Sequence, residues 1–177
     1  MQQSELDWFY RGGAGHFFPK EWQAFLSLLT KDEMKNPIDS YYKHLFGENK
    51  ENRIRFAQAW SKWEIALCKL DYQNDTQDFL IPNDFAQALA RIEAYYFAHQ
   101  GFLPYDKYIM HNCDKIKHIP ATLFQGRYDM ICPPKSAYEL AMQLDKAQLH
   151  IVPNAGHSSS EKPMEAAIAH AFNHYTR

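Results

Sequence analysis

Residues 121–152, ATLFQGRYDMICPPKSAYELAMQLDKAQLHIV, decide the fold of the second half of the chain. The stretch begins with a short apolar run that ends at Gly126, and it ends with a second run, AQLHIV, which turn residues follow. KSAYELAMQL after the first run and EKPMEAAIAHAFNHY after the second both have the apolar spacing of a helix. Short apolar runs that alternate with helices predict a parallel α/β sheet.

The first hundred residues lack this alternation and show helical spacing instead. Pro19 is placed to begin one helix, and Pro37 begins a second helix that Gly47 closes. Two longer helices are predicted over 51–70 and 84–99, with a polar loop between them. The apolar positions at helical spacing are Trp22, Phe25, Leu26 and Leu29 in the first helix, Ile54, Ala57, Trp60, Trp63 or Glu64, Leu67 and Cys68 in the third, and Phe85, Leu89, Ile92 and Tyr96 in the fourth.

Composition limits the classes of partner. The chain has 177 residues, of which 46% are hydrophobic, and this fits one sizeable domain or a main domain with a lobe. A formal net charge of −2 and the lack of long runs of like charge argue against nucleic acid or an acidic membrane surface as the partner. No run of about 18 apolar residues is present and the first residues do not resemble a secretory signal, so the predicted location is the cytoplasm.

Neither a metal site nor a disulfide framework is indicated. Cys68, Cys113 and Cys132 are an odd number of cysteines and form no C-x-x-C pair. His111-Asn112-Cys113 comes nearest to a ligand cluster, but its spacing matches no standard metal site. We therefore expect no metal and no cofactor, and a ligand that is small or neutral.

An acid and a histidine follow the two predicted strands. Asp129 lies three residues after Gly126, and His157 lies in the corresponding loop after the second strand, five residues after Val152. Because the carboxyl ends of parallel strands meet at one edge of a sheet, the two side chains are expected to pair, with the carboxylate orienting the imidazole. Taken singly, each residue has a simpler interpretation: Asp129 as a helix N-cap, and the histidine loop as a cap of the last helix through Ser159 or Ser160. The chain order, acid and then histidine, favours the catalytic interpretation, because α/β-hydrolases use that order.

Five segments, in order along the chain, resemble one enzyme family. QGRYDMICPPKSAYELA and NAGHSSSE are similar to the acid and histidine motifs of proline iminopeptidases, which are serine peptidases of the α/β-hydrolase fold. ELDWFYRGGAGHFFPKEW, AWSKWE and ARIEAYYF resemble the helical cap of that family. The resemblance extends from about residue 5 to the C-terminus. It implies a partial α/β-hydrolase fold, with a helical cap domain over 1–105 and the C-terminal part of the hydrolase domain over 106–177.

The resemblance also implies roles for four charged or titratable residues. Asp129 and His157 match two members of the family's catalytic triad. Glu64 and Glu93 match the carboxylates that hold the charged amine of a peptide whose N-terminal residue is proline. Carboxylates suit this task because an α-amino group is a cation near neutral pH. A simpler interpretation of the two glutamates is solvated helix charge, paired with a neighbouring lysine or arginine.

Three further residues match the walls of the family's proline pocket. Phe97 lies one helical turn from Glu93, and Cys132 and Tyr10 complete the set, although the match of Tyr10 can slip by one position. Aromatic walls suit a small apolar pyrrolidine ring. Cys132 also has an alternative role as a nucleophile that His157 would activate, but no nucleophile turn surrounds it.

The family's nucleophile is missing from the sequence. A serine in a G-x-S-x-G turn is expected before the cap, yet none of the seven glycines brackets a serine at that spacing. We therefore expect a truncated chain that is inactive alone, and that associates with itself or with a separate N-terminal fragment to cover an exposed sheet edge. The alternative is a non-catalytic remnant that binds peptides or a protein through the cap.

Overall fold

The structure is a computed structural model that describes residues 1–70 and 81–175. The chain divides into two compact units, Met1–Ala66 with Tyr72–Asp106, and Leu67–Asp71 with Lys107–Arg177. We call the first the helical unit and the second the α/β unit. The loop predicted over 71–83 lies for the most part outside the described residues.

The helical unit contains the four predicted helices and one that the sequence patterns did not indicate. The unpredicted helix, α1 Gln3–Tyr10, is held at its start by the backbone N–H of Gln2, which donates to Glu5 Oε2 at 2.7 Å. Pro19 and Pro37 begin their helices as predicted, and Gly47 follows the end of the second. The helices are α1 Gln3–Tyr10, α2 Pro19–Leu26, α3 Pro37–Phe46, α4 Lys50–Cys68 and α5 Asn83–Ala98.

The core of the helical unit is aromatic. The rings of Phe25 and Tyr41 stack with centroids 4.3 Å apart, and those of Tyr10 and Trp60 stack at 4.7 Å. All four side chains are almost completely buried. The Tyr41 hydroxyl donates to the Phe25 carbonyl at 2.6 Å, so the polar group of that buried ring is satisfied.

Three of the four apolar positions that have helical spacing on α5 do not belong to its buried face. Phe85, Ile92 and Tyr96, which have helical spacing, are at least half exposed. The buried face instead consists of three alanines, Ala86, Ala90 and Ala94. Small side chains let the helix backbones approach, and Ser61 Oγ of α4 accordingly reaches the Ala86 carbonyl at 3.3 Å. The orientation of α5 is therefore set by the close packing of its alanines and not by the burial of its largest apolar side chains.

The α/β unit has the predicted strand-helix-strand-helix order. The strands β1 Ala121–Gly126 and β2 Ala147–Val152 form a parallel two-stranded sheet, with Gly126 opposite Val152 in register. Its helices are α6 Tyr108–His111, which was not predicted, α7 Pro134–Ala141 and α8 Lys162–Tyr175. The predicted fold class is confirmed. No helix in the described part of the chain is long and apolar enough to span a membrane.

The register of the sheet determines where the functional loops begin. Val152, Ala155 and Met164 form a small core against which Phe124 and Ile168 pack. Because β1 and β2 are parallel and in register, the loops that follow Gly126 and Val152 leave the sheet at the same edge.

Candidate active site

Backbone hydrogen bonds join the loops after β1 and β2. The N–H of Arg127 donates to the Val152 carbonyl at 3.0 Å, and the N–H of Tyr128 donates to the Ala155 carbonyl at 3.0 Å. Gly126 allows this approach, because a Cβ atom at that position would lie 1.9 Å from the Gly156 carbonyl oxygen. The loops that carry Asp129 and His157 are therefore fixed against each other.

Asp129 is buried and accepts hydrogen bonds at both oxygens. Its Oδ1 accepts the backbone N–H groups of Ile131 at 3.0 Å and Cys132 at 2.8 Å. Its Oδ2 accepts the amide of Gln125 at 3.1 Å and Nδ1 of His157 at 3.0 Å. The predicted pairing of acid and histidine is present in the structure. Asp129 is not the N-cap of α7, which starts five residues later at Pro134.

The His157 loop is held by contacts that sequence patterns did not reveal. The backbone N–H groups of His157 and Ser158 both donate to the Cys68 carbonyl, at 3.1 and 2.8 Å. The carboxylate of Glu161 accepts the N–H of Gly156 at 2.7 Å through one oxygen and the N–H of Leu70 at 2.8 Å through the other. Glu161, four residues after the histidine, thus stabilises the loop that presents the imidazole.

Asp129 changes the titration of His157. Its hydrogen bond, followed by that of the Cys132 side chain, raises the pKa of His157 to about 11, although burial acts in the opposite direction. Since Nδ1 donates to a carboxylate, proton exchange with other groups falls to Nε2. The imidazole can make such contacts because its side chain is 38% exposed.

The raised pKa of His157 predicts a pH dependence of stability. The ion pair stabilises the folded chain fully below pH 6.5, the ordinary histidine pKa, and the stabilisation is lost as the pH rises towards 11. In urea unfolding from pH 6 to 11, the difference in unfolding free energy between the chain and His157→Gln is expected to shrink by about 1 kcal/mol, a small value because solvent screens the imidazole. A difference that stays constant over this range would contradict the assigned pairing.

The helical unit brings together the two predicted glutamates and the tyrosine. Glu64 on α4 is only 8% exposed, and its Oε1 accepts a short hydrogen bond from the Tyr10 hydroxyl. Glu93 on α5 accepts the indole N–H of Trp60 at 2.7 Å. The buried position of Glu64 does not fit a solvated surface charge. The ring of Phe97 lies 5.7 Å from the ring of Tyr10 and 6.2 Å from that of Trp60.

The titration of Tyr10 reflects both carboxylates. Burial, and then the negative charges of Glu64 and Glu93, raise the pKa of the Tyr10 hydroxyl well above its ordinary value. The hydroxyl therefore keeps its proton and acts as a donor. Tyr10 and Phe97 also line a cavity of about 190 Å³. Sequence reasoning assigned Tyr10 to a pocket wall and missed its hydrogen bond to Glu64, and it placed Trp60 only in the apolar core.

Among residues 1–70 and 81–175, no three side chains of the metal-binding types cluster. Cys68, Cys113 and Cys132, all within the described residues, are not in disulfides. The α/β unit contains the acid–histidine pair, and the helical unit contains an acidic aromatic cluster.

Comparisons with known proteins define the class. A family profile described as TAP-like protein, an α/β-hydrolase family, matches residues 105–177. Together with the parallel sheet and the acid–histidine pair at its edge, this match shows that the α/β unit has part of an α/β-hydrolase fold.

The resemblance to proline iminopeptidases is also confirmed. The chain is 37% identical to a probable proline iminopeptidase of Leptolyngbya boryana over 99% of its own length and 54% of the relative's. It is 38% identical to the proline iminopeptidase of Arabidopsis thaliana, over 95% of this chain and 44% of that protein, and 34% identical to that of Neisseria gonorrhoeae, over 95% and 53%. The chain therefore spans about half the length of the curated relatives it matches.

Proposed function

We propose that these 177 residues form part of a prolyl aminopeptidase that releases N-terminal proline from peptides by serine-type acyl transfer. The observation that carries the proposal is the hydrogen bond between buried Asp129 and His157 at the carboxyl edge of two parallel strands. In the proposal, residues 106–177 supply the acid–base pair and residues 1–105 supply amine recognition. A cytoplasmic location is part of the proposal, and cysteines that are not in disulfides suit a reducing compartment.

His157 would transfer protons in both halves of the reaction. As general base it would accept the nucleophile's proton at Nε2, and as general acid it would return a proton to the leaving amine. Asp129 would hold the imidazole in the tautomer with a proton on Nδ1. The carboxylate of Asp129, which raises the pKa of His157 to about 11, would stabilise the imidazolium that forms when Nε2 accepts the proton.

Glu64 and Glu93 would bind the charged amine of the substrate. An ammonium group donates charge-assisted hydrogen bonds to carboxylates, and an acylated terminus lacks that charge. Phe97 and Tyr10, whose rings are 5.7 Å apart, would provide apolar walls for the pyrrolidine ring. Cys132 is proposed as a further wall residue. The substrate class is therefore a peptide with a free N-terminal proline.

In this proposal the nucleophile comes from outside the sequence. The 177 residues contain no G-x-S-x-G turn, so a serine and an oxyanion hole would be supplied by another segment or another chain. The partner we propose is a separate N-terminal fragment or a second copy, docked on the strands. All residues of Ala121–Gln125 in β1 are only partly buried, whereas strands of complete parallel sheets are covered by neighbours.

We expect the chain to prefer a free amine when it binds. In calorimetric titrations, L-prolinamide should bind at least about tenfold more tightly than N-acetyl-L-prolinamide, because one charge-assisted hydrogen bond contributes about 1.5–3 kcal/mol. Glu93→Gln should remove most of this preference. Asp84→Asn, which changes an exposed acid on the same helix, serves as the control. Equal binding of the two amides by the unmodified chain would contradict the proposed recognition.

Hydrolysis distinguishes the enzyme from the non-catalytic alternative. The chain alone should not hydrolyse a chromogenic proline amide, since its sequence has no G-x-S-x-G turn. A partner that restores hydrolysis, sensitive to His157→Ala, supports the enzyme; binding of the amine without turnover under every condition supports a binding remnant. Hydrolysis by the chain alone that Cys132→Ser abolishes would make Cys132 the nucleophile instead.

A further inference from the structure

We infer that Trp60 and Tyr10 are positioning residues that hold the Glu64–Glu93 pair in place for a cationic amine. This inference rests on the proposed function, because it assigns a role in the same recognition site. Neither residue would act on the substrate's reacting atoms. Each would act on the ammonium group through the carboxylate that accepts its hydrogen bond, and the Tyr10 ring would in addition form its part of the pocket wall.

Trp60 fixes Glu93 from the neighbouring helix. Its side chain is completely buried, and its Nε1–H donates to Glu93 Oε2 at 2.7 Å. This length is typical of a hydrogen bond to an ionised acceptor. An indole has only two side-chain torsions and is packed here between aromatic rings. The bond therefore connects α4 and α5 through a rigid donor and sets where one carboxylate lies.

Tyr10 fixes Glu64 in the same manner, and it is coupled to Trp60. The hydroxyl donates to Glu64 Oε1, and the Tyr10 ring stacks on the Trp60 indole with centroids 4.7 Å apart and an interplanar angle of 29°. The two donors thus form one rigid stack with one carboxylate bonded to each ring. A shift of either ring would displace both acids.

The donors also bear on the charge of the site. Two carboxylates near one phenol repel each other in a buried cluster, and repulsion of this kind favours protonation of one of them. A hydrogen bond donated to a carboxylate favours its ionised form and opposes that effect. Tyr10 remains a donor because burial and the two negative charges raise the pKa of its hydroxyl. The cluster can then keep both charges for an ammonium ligand.

The chain offers a matched pair of substitutions for the test. Trp60→Phe removes the N–H but leaves an aromatic ring to stack on Tyr10. Trp63→Phe makes the same chemical change on the same helix at an equally buried position, and among the described residues the buried Nε1 of Trp63 has no hydrogen-bond partner. A difference in affinity for L-prolinamide between the two variants is therefore due to the lost hydrogen bond to Glu93 and not to the smaller volume of the ring.

We expect Trp60→Phe to bind L-prolinamide about tenfold more weakly than the unmodified chain, since a hydrogen bond to a charged group is lost. Binding of N-acetyl-L-prolinamide should change little, and Trp63→Phe should bind both amides normally. When the pH is lowered, the affinity of Trp60→Phe for L-prolinamide should begin to fall at a higher pH than that of the unmodified chain. The reason is that Glu93 has lost a donor that favours its charged form. Tyr10→Phe should likewise weaken the binding of L-prolinamide and raise the pH at which that binding begins to fall.

The outcomes separate the inference from the proposed function. If the unmodified chain shows no preference for the free amine, the proposed function fails. If that preference exists and Trp60→Phe retains it with an unchanged pH profile, only the positioning role is overturned. A purely structural role is recognised by equal losses for the two amides, and this result also overturns the inference.

Discussion

Replacing Gly126 with alanine is expected to disrupt the α/β unit. The new Cβ would lie 1.9 Å from the Gly156 carbonyl oxygen and 2.7 Å from that of Ala155. Both contacts are with backbone, so no side-chain rotation relieves them. Separating the loops would break the hydrogen bonds that Arg127 and Tyr128 donate across them. Overpacking of this kind costs about 3 kcal/mol or more when backbone must move.

Urea unfolding followed by circular dichroism measures this cost. Gly47→Ala is the control, because the nearest atom to its added Cβ is the Lys43 carbonyl oxygen at 3.2 Å and its backbone has φ −67°. The control should change the unfolding free energy by much less than Gly126→Ala. If both variants unfold at the same urea concentration as the unmodified chain, the close contact between the loops is not present in solution.

The strands were predictable because their sequences carry a local signal. ATLFQG and AQLHIV are short apolar runs bounded by turn residues, and the strands begin and end at those residues. The buried face of α5 was not predictable in this way. Its alanines are less apolar than the neighbouring aromatics, and only the packing of α5 against other helices shows that the smaller side chains are the buried ones.

The candidate site was predictable to the extent that chain order fixes geometry. Asp129 and His157 each follow a strand, so the topology of a parallel sheet brings them together. The contacts of Gln125, Glu161 and Trp60 with the site depend on where single donors and acceptors point. Such contacts leave no periodic pattern in the sequence. A side chain that only fills the core and one that also donates to a carboxylate can occupy the same positions of a helix.

Replacing Asp129 with asparagine is expected to lower the pKa of His157 from about 11 towards its ordinary value of 6.5. The hydrogen bond and charge of Asp129 are the main cause of the elevation, and asparagine keeps the side-chain shape while removing the charge. The imidazole would then be mostly neutral at pH 8. Histidine side-chain NMR resonances followed from pH 5 to 12 measure the change.

Asp114→Asn is the control for this titration, since it removes an exposed carboxylate that pairs with Lys117 in the same unit. The control should leave the His157 titration unchanged. The Cys132 side chain is the second cause of the elevated pKa, so a value that stays near 11 in Asp129→Asn would assign the elevation to the thiol. Cys132→Ser would then lower the pKa of His157, and Asp129 would not be the group that controls the charge of the imidazole.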